Sequence, residues 1–327
     1  MQHRSKWESR ALLLRELREF FDSRGFLEVQ PPCLADDCVV DAYLDPLQVH
    51  RDSGGDLDSS PDMVGSSSMT TSWYLQTSPE SAMKQMLADG APSIYSIGPV
   101  FRSGEQGPLH RVEFTMLEWY ELGGTAATAI ELLKQMAKEF LAVDAAVDTY
   151  RDLFLRHADL DPLEAPIESL VSRAAESDAA LARSLRNDRD GLLDVILSQV
   201  IQPRLADAGS LVLTHYPRTQ AALAKHSAVD PRCAERFEWF HQGIELANGY
   251  DELTDAEELV RRFEINNQTR VQQGRQPLPV ETRLVRAMRS GMPACSGVAV
   301  GVDRLHMVIE GHRRLVDVQP MPRSHPF

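Results

Sequence analysis

SIGPVFRSGEQGPLHRVEFTMLEWYEL, residues 96–122, holds two strand-like runs around a polar loop. The first run ends in Phe101-Arg102. The loop carries two glycines and His110, and the second run carries Glu113, Phe114, Glu118 and Tyr120 at mostly alternating positions. Alternate residues of a strand share a face, so this hairpin presents an arginine, an aromatic ring and several carboxylates on one surface. The planar fork of an arginine makes two charge-assisted hydrogen bonds and suits an α-phosphate. Phe114 offers a face on which a purine stacks, and Glu118 with Tyr120 suits an ammonium group.

Working outward, residues 297–305, GVAVGVDRL, read as a small-residue strand running into an apolar helix start. Glycines let a ligand approach the backbone, and Arg304 falls at a helix N-terminus, where phosphate is favoured. Towards the start of the chain, residues 6–24 place Leu12, Leu13, Leu17, Phe20 and Phe21 at helical spacing. Gly25 stops that helix. Residues 26–30 read as a strand ended by Pro31-Pro32. Residues 44–50 and 73–77 are short strand candidates, and 51–71, rich in Gly, Ser and Asp, read as a mobile loop. A helix over 79–90 starts at Pro79, a residue favoured in the first turn. Residues 125–230 are mainly helical by composition. The three prolines of 318–327 predict an extended tail. There are no internal repeats.

At 327 residues the length corresponds to about two domains, yet the arrangement reads as one catalytic domain, 1–327. Hydrophobic residues make up 43% of the chain, which allows a sizeable core. No apolar run approaches the ~20 residues of a membrane span, and the first residues lack an apolar signal segment. Cysteines at 33, 38, 233 and 295 form no CxxC pair, so neither a zinc ribbon nor a disulfide framework is expected. A cytoplasmic setting fits. The formal net charge of −14 argues against a nucleic-acid footprint, which needs basic residues to neutralise phosphates.

Three segments, in this order, resemble the signature motifs of class II aminoacyl-tRNA synthetases. They are GFLEVQPP (25–32) with the preceding helix as motif 1 (6–32), Phe101-Arg102 within 96–122 as motif 2, and GVAVGVDRL within 297–310 as motif 3. TSPESAMKQML (77–87), EFTMLEWY (113–120) and ELANGYDELTDAEE (245–258) resemble the lysine-type members, and are closer still to their short paralogues, the elongation factor P lysine ligases. The resemblance covers most of 5–125 and 232–310 and is weak across 140–230, the expected helical insertion. It implies an α+β fold, a mostly antiparallel sheet flanked by helices. Motif 1 would build a homodimer interface. No anticodon-binding OB domain is expected before it.

The implied reaction is ATP-dependent activation of lysine or (R)-β-lysine, followed by transfer to a lysine ε-amine of elongation factor P. By resemblance, Arg102 holds the α-phosphate and the amino-acid carboxylate, and His110 and Arg304 contact the outer phosphates. Phe114 stacks adenine, with Glu105, Leu246 and Gly301 completing the ATP positions. Glu238 and Glu245 match magnesium-binding glutamates. Glu118, Tyr120 and Glu252 match the positions that take the ε-ammonium. Glu80, in Ser78-Pro79-Glu80, matches the contact to the other amino group, and Asn248 a carboxylate contact. Ala299 stands where lysyl-tRNA synthetases carry glycine and the elongation factor P ligases carry alanine, which favours (R)-β-lysine.

Three departures mark this chain: Ser103-Gly104-Glu105 after Arg102, Arg111-Val112 after His110, and Asp251 before Glu252. Glu105 or a backbone group would serve adenine; Arg111 either adds a phosphate contact or is solvated. Two rival readings remain at this point. One is a truncated synthetase acting on tRNA or another small acceptor, which tRNA-disfavouring charge opposes. The other is a lysine- or adenylate-binding module without turnover.

Overall fold

The computed structural model describes residues 5–50 and 72–319. The expected loop at 51–71 and nearly all of the expected tail at 318–327 lie outside the described residues. Helix α1 (Lys6–Asp22) is opened by Ser5, whose hydroxyl accepts from the Glu8 N–H while Glu8 reaches back, a capping box. It buries Leu13, Leu17, Phe20 and Phe21. Strand β1 (Leu27–Glu28), shorter than the expected 26–30, follows. Strands β2 (Leu34–Ala35), β3 (Gln48–His50) and β4 (Ser72–Leu75) form a small sheet in the order β2-β4-β3. Helix α2 (Glu80–Ala88) starts just after Pro79. Strands β5 (Ile94–Phe101) and β6 (Glu113–Leu122) are the hairpin read from the sequence.

Helix α3 (Ala126–Leu141) and strand β7 (Ala145–Thr149) lead to four short helices: α4 (Tyr150–Ala158), α5 (Ile167–Ala175), α6 (Ala179–Ser184) and α7 (Arg189–Val195). Strands β8 (Ser210–Pro217), β9 (Cys233–His241) and β10 (Ile244–Asp251) come next. Helices α8 (Ala256–Gln272) and α9 (Arg283–Gly291), strand β11 (Cys295–Gly301) and helix α10 (Val302–Ile309) complete the order. The region 125–230 is thus not purely helical. Residues 210–217 are almost continuously buried, so they show no alternation and are masked by the surrounding helical composition.

The main sheet runs β1-β5-β6-β11-β10-β9-β8-β7. Only the outer pairs β1–β5 and β7–β8 are parallel; every inner pair is antiparallel. One core packs α1, α3 and α10 against this sheet, and a second lies under α2, α8 and α9. A third, built from Tyr150, Phe154, Leu193 and Ile201, covers the β7–β8 end. Arg10 of α1 pairs with Asp303 at 2.6 Å and donates to the Thr115 hydroxyl at 2.7 Å. Asp303 also accepts from the Thr115 N–H at 2.7 Å. This triangle locks the start of α10 to β6. Among the described residues, no helix is long and apolar enough to cross a membrane.

Phe21 is fully buried, with the rings of Phe20, Phe26, Tyr95 and Trp119 centred 5.0–5.4 Å away. Phe21→Ala is expected to destabilise the protein by about 3–5 kcal/mol through lost burial and a residual cavity. Chemical denaturation checks this; a loss below about 1 kcal/mol would mean that the cluster refills itself.

Candidate functional site

Two rows of side chains cross the inner strands on one face. In the first, register pairs Ser96 with Glu118, Glu118 with Ala299, Ala299 with Asn248, and Asn248 with Glu238. In the second it pairs Ile94 with Tyr120, Tyr120 with Gly297, Gly297 with Tyr250, and Tyr250 with Arg236. Directly opposed residues in a sheet lie close enough to interact, so residues far apart in the chain become neighbours here. Phe114, Met116, Glu118 and Tyr120 share this face. Glu113 does not, because its odd position puts it on the opposite face of β6; the expected alternation holds without it.

The face forms the floor of a cleft with two joined cavities. The first, about 330 Å³, is lined by Ser78, Glu80, Glu118, Tyr120, Glu238 and Glu252. The second, about 250 Å³, is lined by Glu105, His110, Phe114, Leu246, Gly301 and Arg304. Arg102, Glu245, Asn248 and Ala299 line both. Pro79 lines neither; it precedes α2 and borders a smaller cavity beyond Ser78.

The first cavity is acidic, and its key carboxylates are buried. Glu118 is 2% exposed, and its two oxygens accept from Tyr120 Oη at 2.5 Å and Ser78 Oγ at 2.7 Å. Burial, reinforced by the charge of Glu80, pushes its carboxyl above the ordinary glutamate range. Burial likewise raises Glu252, although the Lys84 ammonium works against the shift. Burial and then Glu118 push the Tyr120 hydroxyl well up, so it stays a donor. Gly297 is required beneath them, because a Cβ there would run into Glu252 and Tyr120.

Lys84, absent from the sequence reading, balances this set. It is 2% exposed, bonds Glu80 one turn back, and pairs with Glu252 at 2.6 Å. Burial alone would push its ammonium down, but Glu252 and Glu80 outweigh that and keep the charge. The four-residue spacing of Glu80 and Lys84 is visible in the sequence; the bridge to Glu252, brought from the end of β10, is not.

The second cavity is set by Arg304, in the first turn of α10. Its guanidinium donates to the Leu109 carbonyl at 3.1 Å and the Glu245 carbonyl at 3.0 Å, and meets the Glu245 carboxylate at 3.2 Å. It also donates to His110 Nε2 at 2.8 Å. An arginine only donates, so that nitrogen accepts and the imidazole is neutral. Burial and the Arg304 charge lower the His110 pKa in agreement. Arg102 donates to the Thr77 carbonyl at 3.2 Å, lies 3.5 Å from Glu105 and sits 5.2 Å from the Phe114 ring centre. Arg111 is not simply solvated, since it bonds the Gly107 and His110 carbonyls and lines this cavity. Asp251 faces away from the cleft and pairs with Lys225 at 2.7 Å.

Glu238 and Glu245 flank the β9–β10 turn, where Gln242 and Gly243 both have positive φ, 49° and 76°. The two glutamates are close enough that Glu245 helps raise Glu238, after burial. Among the described residues no three His, Cys, Asp or Glu side chains form a metal cage. Glu245, which lines both cavities, and Glu238 in the first offer two carboxylates that suit Mg²⁺, which takes its other ligands from phosphates and water. Arg236 and Tyr250, also missed in the sequence, complete the wall beside Glu238 and Asn248.

The family described as tRNA synthetases class II (D, K and N) matches residues 2–325. A Yersinia enterocolitica protein named elongation factor P (R)-β-lysine ligase is 38% identical over 314 residues, 96% of this chain and 93% of that protein. A protein of the same name from Salmonella arizonae is 38% identical over 310 residues, 94% of this chain and 92% of that one. A Yersinia pestis protein of that name is 38% identical over 314 residues, covering 96% and 93%.

Carboxyls raised by burial bind more protons folded than unfolded between the ordinary glutamate range and neutrality. Their contribution to stability therefore falls as pH rises through that window. Lys84 holds this loss in check. Lys84→Met is expected to cost about 3–5 kcal/mol near pH 8, because it leaves buried charges unpaired. The loss should shrink towards about pH 6 as Glu118 and Glu252 take up protons. Denaturation at both pH values measures it; a loss independent of pH would show that Lys84 matters only as packing.

Proposed function

The chain belongs to the class II tRNA synthetases of the D, K and N type, and from that premise we propose that it activates (R)-β-lysine, or lysine, with ATP and transfers it to a lysine ε-amine of elongation factor P. The observation that carries this reading is the acidic end of the cleft, where buried carboxylates meet. Glu80, Glu118 and Glu252 converge there with one internal cation, Lys84. Three carboxylates against one ammonium leave room for two more positive charges, which a diamino acid supplies. Buried carboxylates without cations are unfavourable. The names carried by relatives of matching length support the same substrate and acceptor.

In this reading Glu118, Tyr120 and Glu252 take the side-chain ammonium, Glu80 takes the other amino group, and Asn248 contacts the carboxylate. Arg102, which lines both cavities, holds that carboxylate against the α-phosphate. A carboxylate oxygen attacks the α-phosphorus, and the bond to the β-phosphate oxygen breaks to release pyrophosphate. Positioning and charge stabilisation supply most of the acceleration in such a step. Phe114 stacks the purine, with Glu105, Leu246 and Gly301 around it, and Arg304 and His110 meet the outer phosphates. Glu238 and Glu245 would hold Mg²⁺, which offsets phosphate charge. In the second step the acceptor ε-amine attacks the carbonyl carbon of the aminoacyl-adenylate, AMP departs with the electron pair, and the amine loses a proton. One catalytic domain, a homodimer through the α1–β1 face and a cytoplasmic setting complete the proposal.

The protein should catalyse ATP–pyrophosphate exchange that depends on lysine or (R)-β-lysine and needs no nucleic acid. Arg304→Ala should lower it by about a hundredfold to a thousandfold, the usual effect of losing one preorganised charge contact. No exchange by the wild type with either isomer overturns the reading, and near-normal exchange by Arg304→Ala overturns the placement of the phosphates.

Ala299 lies between Glu118 and Asn248 on the floor shared by both cavities. One methyl group there is worth about 1–3 kcal/mol of discrimination. Ala299→Gly should therefore raise kcat/KM for lysine relative to (R)-β-lysine by about tenfold or more. An unchanged ratio would make Ala299 only a small strand residue.

A further inference from the structure

Arg236 stands in the wall of the amino-acid cavity without a role in the chemistry described above. It lies on β9, two residues before Glu238 and directly across from Tyr250. Its guanidinium is divided among three partners. One terminal nitrogen pairs with Glu238 Oε1 at 2.6 Å. Nε donates to Asn248 Oδ1 at 3.2 Å, and the other terminal nitrogen donates to the Gln220 carbonyl at 2.7 Å. The guanidinium also lies 4.6 Å from the Tyr216 ring centre, so it is held in one plane.

These bonds fix two groups at once. Tyr216 Oη donates to Glu238 Oε2 at 2.6 Å. With Arg236 on Oε1, both oxygens of Glu238 are held. Asn248 Nδ2 donates to Tyr250 Oη at 2.7 Å. Because arginine only donates, the amide oxygen of Asn248 must face Arg236, and its NH₂ is turned towards Tyr250 and the cavity. In that orientation the amide donates to a carboxylate; flipped, it would present an oxygen and repel one.

We propose that Arg236 is a positioning residue that couples amino-acid binding to the metal pair, orienting the Asn248 amide for the substrate carboxylate and holding Glu238 for Mg²⁺ with a single guanidinium. This rests on the function proposed above and deepens it. The planar fork explains why arginine is needed, since an ammonium on a flexible stem does not span two acceptors in fixed directions. The anchor reaches further out. Gln220, whose carbonyl holds Arg236, donates from its side chain to Asp194 Oδ1 at 2.8 Å, beside the Asp190 carbonyl at 3.3 Å. The helix α7 of the inserted region thereby supports the wall of the site.

The test compares wild type, Arg236→Leu, Arg236→Lys, Asn248→Ala and the double variant Arg236→Leu/Asn248→Ala. Binding of lysine and (R)-β-lysine is measured by calorimetry without nucleotide or metal, exchange is measured against Mg²⁺ concentration, and melting reports folding. Arg236→Leu should weaken amino-acid binding about tenfold or more, as expected for losing hydrogen bonds to a charged group. It should also raise the Mg²⁺ needed for half-maximal exchange. Adding it to Asn248→Ala should weaken binding less than about threefold further, because the two act as a unit. Arg236→Lys keeps the charge beside Glu238, so it should restore the Mg²⁺ requirement but not amino-acid affinity. This variant decides the matter if Arg236→Leu does not fold. Unchanged affinity in Arg236→Lys, losses that multiply in the double variant, or a fall in kcat alone would each overturn the role. A wild type that binds neither amino acid overturns the functional reading with it; a wild type that binds normally, beside unaltered variants, overturns this role alone.

Discussion

Three carboxylates cannot share a buried pocket unless cations answer them. Glu80, Glu118 and Glu252 arrive from α2, β6 and the end of β10, and all three line one cavity. Lys84 answers two of them from below, while Tyr120 and Ser78 bind the third. What remains is an acidic surplus directed into the cavity. Desolvation makes that surplus unfavourable when the pocket is empty and makes a dication its natural complement. Much of the surrounding architecture serves to hold these charges together.

The sheet does most of that work through register. Because side chains alternate with a period of two, a slip by one residue would turn Glu118, Ala299, Asn248 or Glu238 to the opposite face. Long antiparallel pairings among β5, β6, β11, β10 and β9 prevent it. Gly297 is small because the floor of the cleft leaves no space for more. A Cβ at Gly297 would meet Glu252 and Tyr120, so the glycine is a packing requirement. The Arg10–Asp303–Thr115 triangle then fixes where α10 begins, and Arg304 follows from that point.

The two cavities divide the cleft by charge. Acidic groups dominate one end, and Arg304 with neutral His110 shapes the other. Arg102 stands where they meet, braced by the Thr77 carbonyl and Glu105. The electrostatic design is local: the chain as a whole carries −14, yet Arg102, Arg111 and Arg304 line the cavity where anionic groups of the reactants would lie.

The primary sequence by itself determined the elements that carry short-range signals. The α1 stripe, the β5–β6 hairpin and the small-residue strand before Arg304 all follow from periodicity, turn residues and glycine placement. Alternation also made Phe114, Glu118 and Tyr120 legible as one face, whereas Glu80, Glu238, Glu245, Asn248, Glu252 and Ala299 were assigned to the site only through the family resemblance. Strand β8 was not legible, because a strand buried on both faces loses its alternation and sits among helices, and β7 is a short edge strand whose burial does not alternate. Nor were the partnerships that make the site work. Lys84 with Glu252, and Arg236 with Asn248 and Glu238, depend on which strands become neighbours and at what register. Pattern along one segment determines which way a side chain points; only the tertiary structure decides what it meets there, because burial and charge compensation arise between segments that the chain keeps far apart.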